Sequence, residues 1–155
     1  MHRTGQSVEV MFYEEQERAV AGEITLAEVA TAYFAYRHGD QHEDDPNFWA
    51  IDLWFPVNDE WWQDEERVRA GLLALVDAAP DDDDLLYVGA GPLEDFIEHD
   101  DSRVRWIEAQ ASMSARFRRA LSNVWIWGSV PDEVAERVER AAGVPLAKPE
   151  SEGPN

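Results

Sequence analysis

Residues 25–39 read TLAEVATAYFAYRHG, and this stretch decides the fold class. Thr25 and Glu28 make the T-x-x-E pattern of a capping box, in which hydroxyl and carboxylate each accept from a backbone N–H that the first helical turn leaves unpaired. Leu26, Val29, Ala30 and Tyr33 then recur at helical spacing and predict one buried stripe. Gly39 is placed to end the helix in a left-handed conformation, and polar residues run from Asp40 to Asn47.

The same signals extend outward. Upstream, VEVMFY (8–13) is apolar and β-branched but runs into EEQER. Such a short run fits helix or strand, and helix is the expectation. Downstream, FWAIDLWFPVNDEWW (48–62) holds four of the seven tryptophans. Phe48, Ile51, Leu53, Trp54 and Phe55 predict a short helix ended by Pro56, because the residue before a proline avoids the α region. Asn58 is placed to cap a helix beginning DEWW, which Val68, Leu72, Leu75 and Val76 continue on one face to near Ala79. The acids Asp81 to Asp84 suit the N-terminus of the next helix, and Gly89, Gly91 and Pro92 predict a tight turn with Pro92 as a first helical residue. Leu93, Phe96 and Ile97 form the apolar face beyond it. Ser102 is expected to cap a helix carrying Val104, Ile107 and Ala111. Ser114 is expected to cap one carrying Phe117, Leu121, Val124 and Trp125 as a stripe, stopped by Gly128. Ser129 and Pro131 open a last helix with Val134, Val138 and Ala141 inward, ended by Gly143 and Pro145.

Helices joined by short turns predict an all-α domain with antiparallel neighbours. The expectation is about seven or eight helices in one domain over residues 8–143, between flexible termini at 1–7 and 144–155. The rhythm after residue 58 suits a small curved stack of antiparallel helix pairs, HEAT-like or an irregular bundle.

A chain of 155 residues, 45% hydrophobic and with seven Trp, six Phe and four Tyr, has material for a substantial core. It has no cysteine, which excludes disulfides, thiolate metal sites and thiol nucleophiles. No segment has the apolar length of a signal peptide or a membrane span, so a cytoplasmic location with no membrane partner is expected. The formal charge is −20, and from Asp40 to Asp101 there are 20 acids against only Arg67 and Arg69. Residues 102–155 carry +1. A field of this sign repels nucleic acid and anionic lipid and attracts cationic partners; it also serves solubility.

Few residues point to chemistry. His38 and His42 are four apart, but Gly39 lies between them and the Glu of H-E-x-x-H is missing, so a solvated loop is expected and no metal. Asp81–Asp84 lacks the Gly and Glu of an EF-hand loop, and Gly89-Ala90-Gly91 is not followed by the Lys-Ser/Thr of a phosphate loop. No cofactor and no nucleophilic catalysis are expected. Glu94 stands between the apolar Leu93 and Phe96, so it is expected to be partly buried. Trp61 and Trp62 are adjacent, and one helix stripe cannot take both, so one is expected to be at least partly exposed. Ringed by Asp59, Glu60, Asp64, Glu65 and Glu66, it would make an aromatic anchor in an acidic rim. Arg103, Arg105, Arg116, Arg118 and Arg119 form a basic cluster whose plainest role is pairing with the acidic middle of the chain.

The stretches YVGAGPLEDFIEHDD (87–101) and IEAQASMSARFRRALSNVW (107–125) resemble an uncharacterised bacterial family, the domain of unknown function 6869. The similarity covers roughly residues 28–127 and is strongest over the G-x-G-P-L-E turn and helix. An Ile-Glu pair, an Ala and a Phe-Arg of the family pattern are matched by Ile107, Glu108, Ala111, Phe117 and Arg118. The resemblance implies an α-helical bacterial protein and singles out Glu94 and Glu108 as acids to test.

Two functional expectations result. The first is a protein-binding module whose acidic, Trp-bearing surface engages a basic protein, as an immunity protein or inhibitor of a basic toxin would. The rivals are a hydrolase using Glu94 and Glu108 as acid and base, and an acidic scaffold protein with no toxin partner.

Overall fold

The computed structural model describes residues 14–149. The helix expected from residue 8 to 13 and the loose start at 1–7 lie outside the described residues. Within them the fold is all-α: no strand is present, only an isolated bridge between Trp127 and Val130. No helix among the described residues is long and apolar enough to cross a membrane. The chain divides into two compact units, Met1–Ala79 and Pro80–Asn155.

The first unit contains α1 (residues 14–20), α2 (Leu26–Arg37), α3 (Phe48–Leu53), α4 (Asp59–Gln63) and α5 (Glu65–Ala78). The capping box of α2 is complete: Glu28 N–H donates to Thr25 Oγ1 at 3.1 Å and Thr25 N–H to Glu28 Oε1 at 3.3 Å. Val29, Ala30 and Tyr33 are buried, and α2 packs against α3 and α5. α1 is tied in from two sides. Gln16 Nε2 donates to Asp52 Oδ2 at 2.6 Å, and Arg67 Nη2 donates to the Ala19 carbonyl at 2.9 Å. Gly39 does not take the expected left-handed conformation; that falls to Gln41, at φ 59°. The helix has already ended at Arg37, and a Cβ on Gly39 would meet the Asp45 carboxylate at 3.1 Å.

The helix expected to run unbroken from Asn58 to Ala79 is two helices. Asp64 closes α4 and opens α5, its carboxylate accepting from Arg67 N–H at 3.2 Å. Asn58 does not cap with its side chain, which donates instead to the Asp52 carbonyl. The break at Asp64 overturns one expectation. Trp61 and Trp62 are both buried, each only 1% exposed. A single separate turn need not share the stripe of α5, so neighbours can enclose both indoles. Trp54 stands edge-on between them, its centroid 5.0 Å from Trp61 and 5.8 Å from Trp62. Trp62 Nε1 donates to the Phe55 carbonyl at 3.1 Å. Gly71 of α5 makes the room: a Cβ there would lie 3.0 Å from Trp54 and 3.1 Å from Trp61.

The second unit contains α6 (Asp82–Val88), α7 (Glu94–His99), α8 (Val104–Met113), α9 (Ala115–Leu121) and α10 (Asp132–Ala142). Asp81 caps α6 through Asp84 N–H at 3.0 Å, and Ser114 caps α9 through Phe117 N–H at 3.0 Å. Ser102 does not cap α8: it lies in a 3₁₀ turn, Asp101–Arg103, that precedes the helix. The expected tight turn at Gly89–Leu93 is a π-helical turn that carries α6 into α7. Pro92 has no N–H to give to an α-helical ladder, and the wider turn is closed by Glu94 N–H on the Gly89 carbonyl. Trp125 also departs from expectation. α9 ends at Leu121, so Phe117, Leu121 and Val124 are buried but Trp125 is 58% exposed. Past α10 the chain still packs. Leu146 is buried, with its N–H on the Glu139 carboxylate at 2.8 Å, and Lys148 Nζ lies 4.4 Å from the Trp127 ring centroid.

Candidate functional site

Three places hold residues that the sequence singles out or that the fold arranges for chemistry. The first is the joint around α4. Asp59, Glu60, Asp64 and Glu66 are exposed, while Glu65 is half-buried and paired with Arg69 one turn on. With both tryptophans in the core, the apolar surface here belongs to residues flanking Pro56: Phe55, 43% exposed, and Val57, 80% exposed. Pro56 sits between α3 and α4, and the loop it makes turns these two side chains outward instead of into either helix face. Beside them lies a pocket of about 470 Å³, lined by Val20, Leu53, Val57, Asp59, Glu60 and the edge of Trp61 among others. Trp61 Nε1 is buried and has no hydrogen-bond acceptor among the described residues. The exposed acids therefore stand beside an aliphatic and a phenyl group, and not beside an exposed indole.

The second place is Glu94. It opens α7 from the π-helical turn and reaches the segment after α9, where its Oε1 accepts Trp125 N–H at 2.7 Å. The contact between these segments is close throughout. A Cβ on Gly89 would lie 1.9 Å from the Ala120 carbonyl oxygen, and Asn123 Nδ2 donates to the Leu86 carbonyl at 2.8 Å. Partial burial pushes Glu94 up to about 7; the Trp125 N–H opposes this, and the charges of Glu98 and Asp95 add to it. Burial, then Glu98, pushes Asp95 up to about 6. Glu94 is therefore a carboxyl that titrates near neutrality beside an exposed indole.

The third place surrounds Glu108, which the family resemblance singled out, but the arginines of α10 that meet it there were not recognised in the sequence. Glu108 and Ser112 of α8, Arg118 of α9, and Arg137 and Arg140 of α10 line a pocket of about 350 Å³. Arg137 forks onto Glu108, Nε to Oε2 at 3.1 Å and Nη2 to Oε1 at 2.5 Å. That guanidinium holds the Glu108 carboxyl below its usual range. Arg118 Nη1 donates to the Ala111 carbonyl at 2.6 Å. Ala111 and Ala141 complete the lining with small side chains. Arg137 and Arg140 are three residues apart on α10, a spacing that places two side chains as neighbours and would have flagged them. Of the basic cluster noted in the sequence, Arg119 does pair with the acidic run, forking onto Asp82 at 2.8 and 2.6 Å.

Glu94 and Glu108 thus have separate partners, and the Glu108 pocket does not include Glu94. His38 and His42 are exposed around the end of α2, and among the described residues no group of His, Asp or Glu is arranged to hold a metal ion. Neither curated proteins nor solved structures gave a match to the chain. A model of a family of unknown function, DUF6869, matches residues 37–144, more than two thirds of the 155 residues. That span holds the π-helical joint, Glu94 and the Glu108 pocket, and by this match the chain belongs to the DUF6869 family.

Proposed function

We propose that this protein is a binding module that docks a basic protein on the acidic surface around α4. The observation that carries the reading is the exposed run Asp59, Glu60, Asp64 and Glu66 beside the exposed Phe55 and Val57. Interfaces take their affinity from a few desolvated anchors, and charge around them raises association rates and sets register. Carboxylates placed where an enzyme expects phosphates would suit an immunity protein or inhibitor of a cationic bacterial toxin, the most concrete form of the proposal. Such a protein works in the cytoplasm and needs no cofactor.

The rival hydrolase draws support from Glu94, whose pKa near 7 suits a general acid. Its partner is less apt, since Glu108 is tied to Arg137 in a pocket whose lining does not include Glu94. A scaffold role has no observation of its own. The test is affinity capture from the native host at low salt, with mass spectrometry of what is bound. The expected result is a basic protein that elutes as salt rises. It should be lost when Asp59, Glu60, Asp64 and Glu65 are changed to Ser, and weakened by Val57→Asp. Capture that ignores both sets of changes would reduce the acidic face to a solvated surface.

A further inference from the structure

The Glu108 pocket has the opposite sign from the rest of the molecule. Three guanidiniums and one carboxylate line it, a local net charge of +2 within a chain of −20. Two of the guanidiniums are held in place in advance. Arg137 is fixed by its fork on Glu108, and Arg118 by the Ala111 carbonyl near the end of α8. Each keeps N–H donors beyond those bonds. Arg140 is exposed, and its side chain makes no hydrogen bond or ion pair among the described residues. Part of this has a local use, since cations are favoured at helix C-termini and Arg140 is in the last turn of α10. That use needs neither three guanidiniums at one concavity nor the clear space that Ala111 and Ala141 leave.

We propose that this pocket binds a small phosphomonoester, its phosphoryl oxygens held by Arg140, Arg118 and the remaining donors of Arg137. Guanidinium forks match phosphate geometry, and a dianion balances a site of +2 where a single carboxylate would not. A volume of about 350 Å³ exceeds what a phosphoryl group fills, so a short carbon body fits against Ala111 and Ala141. The acidic field elsewhere opposes any anion at long range. At physiological ionic strength charges beyond about 8 Å are largely screened, so the near groups decide: the three arginines of the pocket, with Arg105 close to Glu108, against Glu108 and Glu133. This site is independent of the docking surface around α4.

Calorimetric titration of the full chain at physiological salt tests it, with glycerol 3-phosphate, inorganic phosphate and acetate as probes. The expected result is saturable one-to-one binding of both phosphate probes, with acetate at least about tenfold weaker. Arg140→Gln should weaken glycerol 3-phosphate by about tenfold, Arg118→Gln likewise, and Arg116→Gln, outside the pocket, should not. Arg140→Gln breaks no hydrogen bond among the described residues, so it decides the matter even if Arg118→Gln unfolds. The proposal is overturned if neither phosphate probe binds saturably, if acetate binds as well as they do, or if Arg140→Gln binds like the parent.

Discussion

Glu94 shows how one half-buried carboxylate sets a pH dependence for the whole unit. Its ordinary pKa of about 4.5 rises to about 7 in the fold, so the folded chain holds this proton more tightly than the unfolded chain does. Between those values the folded state binds more protons, and stability falls as pH rises through the window. Asp95, raised to about 6, acts in the same direction. Glu108 and Asp82 act oppositely: Arg137 and Arg119 hold their pKa values down, so what they add is present at neutral pH and lost in acid. Glu94→Gln keeps an oxygen for the Trp125 N–H and removes the charge. The expected outcome is a gain of about 1 kcal/mol at pH 8, discounted for solvent screening of a half-buried group, and a flatter profile between pH ~4.5 and ~7. Urea midpoints measured across that range check it. A variant no more stable than the parent at pH 8 would show that the charged carboxylate is tolerated at no cost.

At the scale of elements, the joint between α6 and α7 is the least ordinary part of the fold. A π-helical turn is uncommon and marks functional positions in many proteins. Here it brings Leu86 to Asn123, Gly89 to Ala120 and Glu94 to Trp125 along one side. At Gly89 the Ala120 carbonyl occupies the place a side chain would take. A methyl group there would fall 1.9 Å from a carbonyl oxygen, and backbone cannot swing aside as a side chain would. Gly89→Ala is expected to cost about 3 kcal/mol or more in urea unfolding, because α6 and α9 must separate. A loss below about 1 kcal/mol would mean that the joint is loose. Much at this scale was legible in the sequence. The caps at Thr25 and Ser114, the acidic N-terminus of α6 and the stripe Val68, Leu72, Leu75, Val76 depend on neighbours within a few residues, and all are present. The exceptions share a cause. Asp64 and Pro92 each permit a continuous helix or a break, and packing of indoles in one case and of α9 in the other selects the outcome.

Across the whole molecule, charge dominates. With a net −20 the compact state is strained by self-repulsion, which salt screens. Raising ionic strength from about 0.01 to about 0.15 M shortens the Debye length from about 30 to about 8 Å, and the Tm of the protein is expected to rise by several degrees. A Tm that falls would mean that ion pairs such as Arg119–Asp82 and Arg137–Glu108 outweigh the repulsion. The same charge made the acidic rim visible from composition, since exposure is the default for carboxylates. Its apolar partner was misread: local pattern can say that tryptophans are abundant, but not which ones the core encloses.

The sequence by itself determined the helical class, most helix starts and stops, and the acidic surface, because hydrogen-bond caps, periodicity and charge act locally and need no knowledge of the fold. Tertiary structure alone decided which groups meet. It buried Trp61 and Trp62, exposed Phe55, Val57 and Trp125, raised the pKa of Glu94, and gathered Arg118, Arg137 and Arg140 around Glu108. Glu108 and Arg137 lie 29 residues apart on separate helices. No periodicity spans such a distance; only the packing of α8 against α10 places a carboxylate and a guanidinium in one pocket.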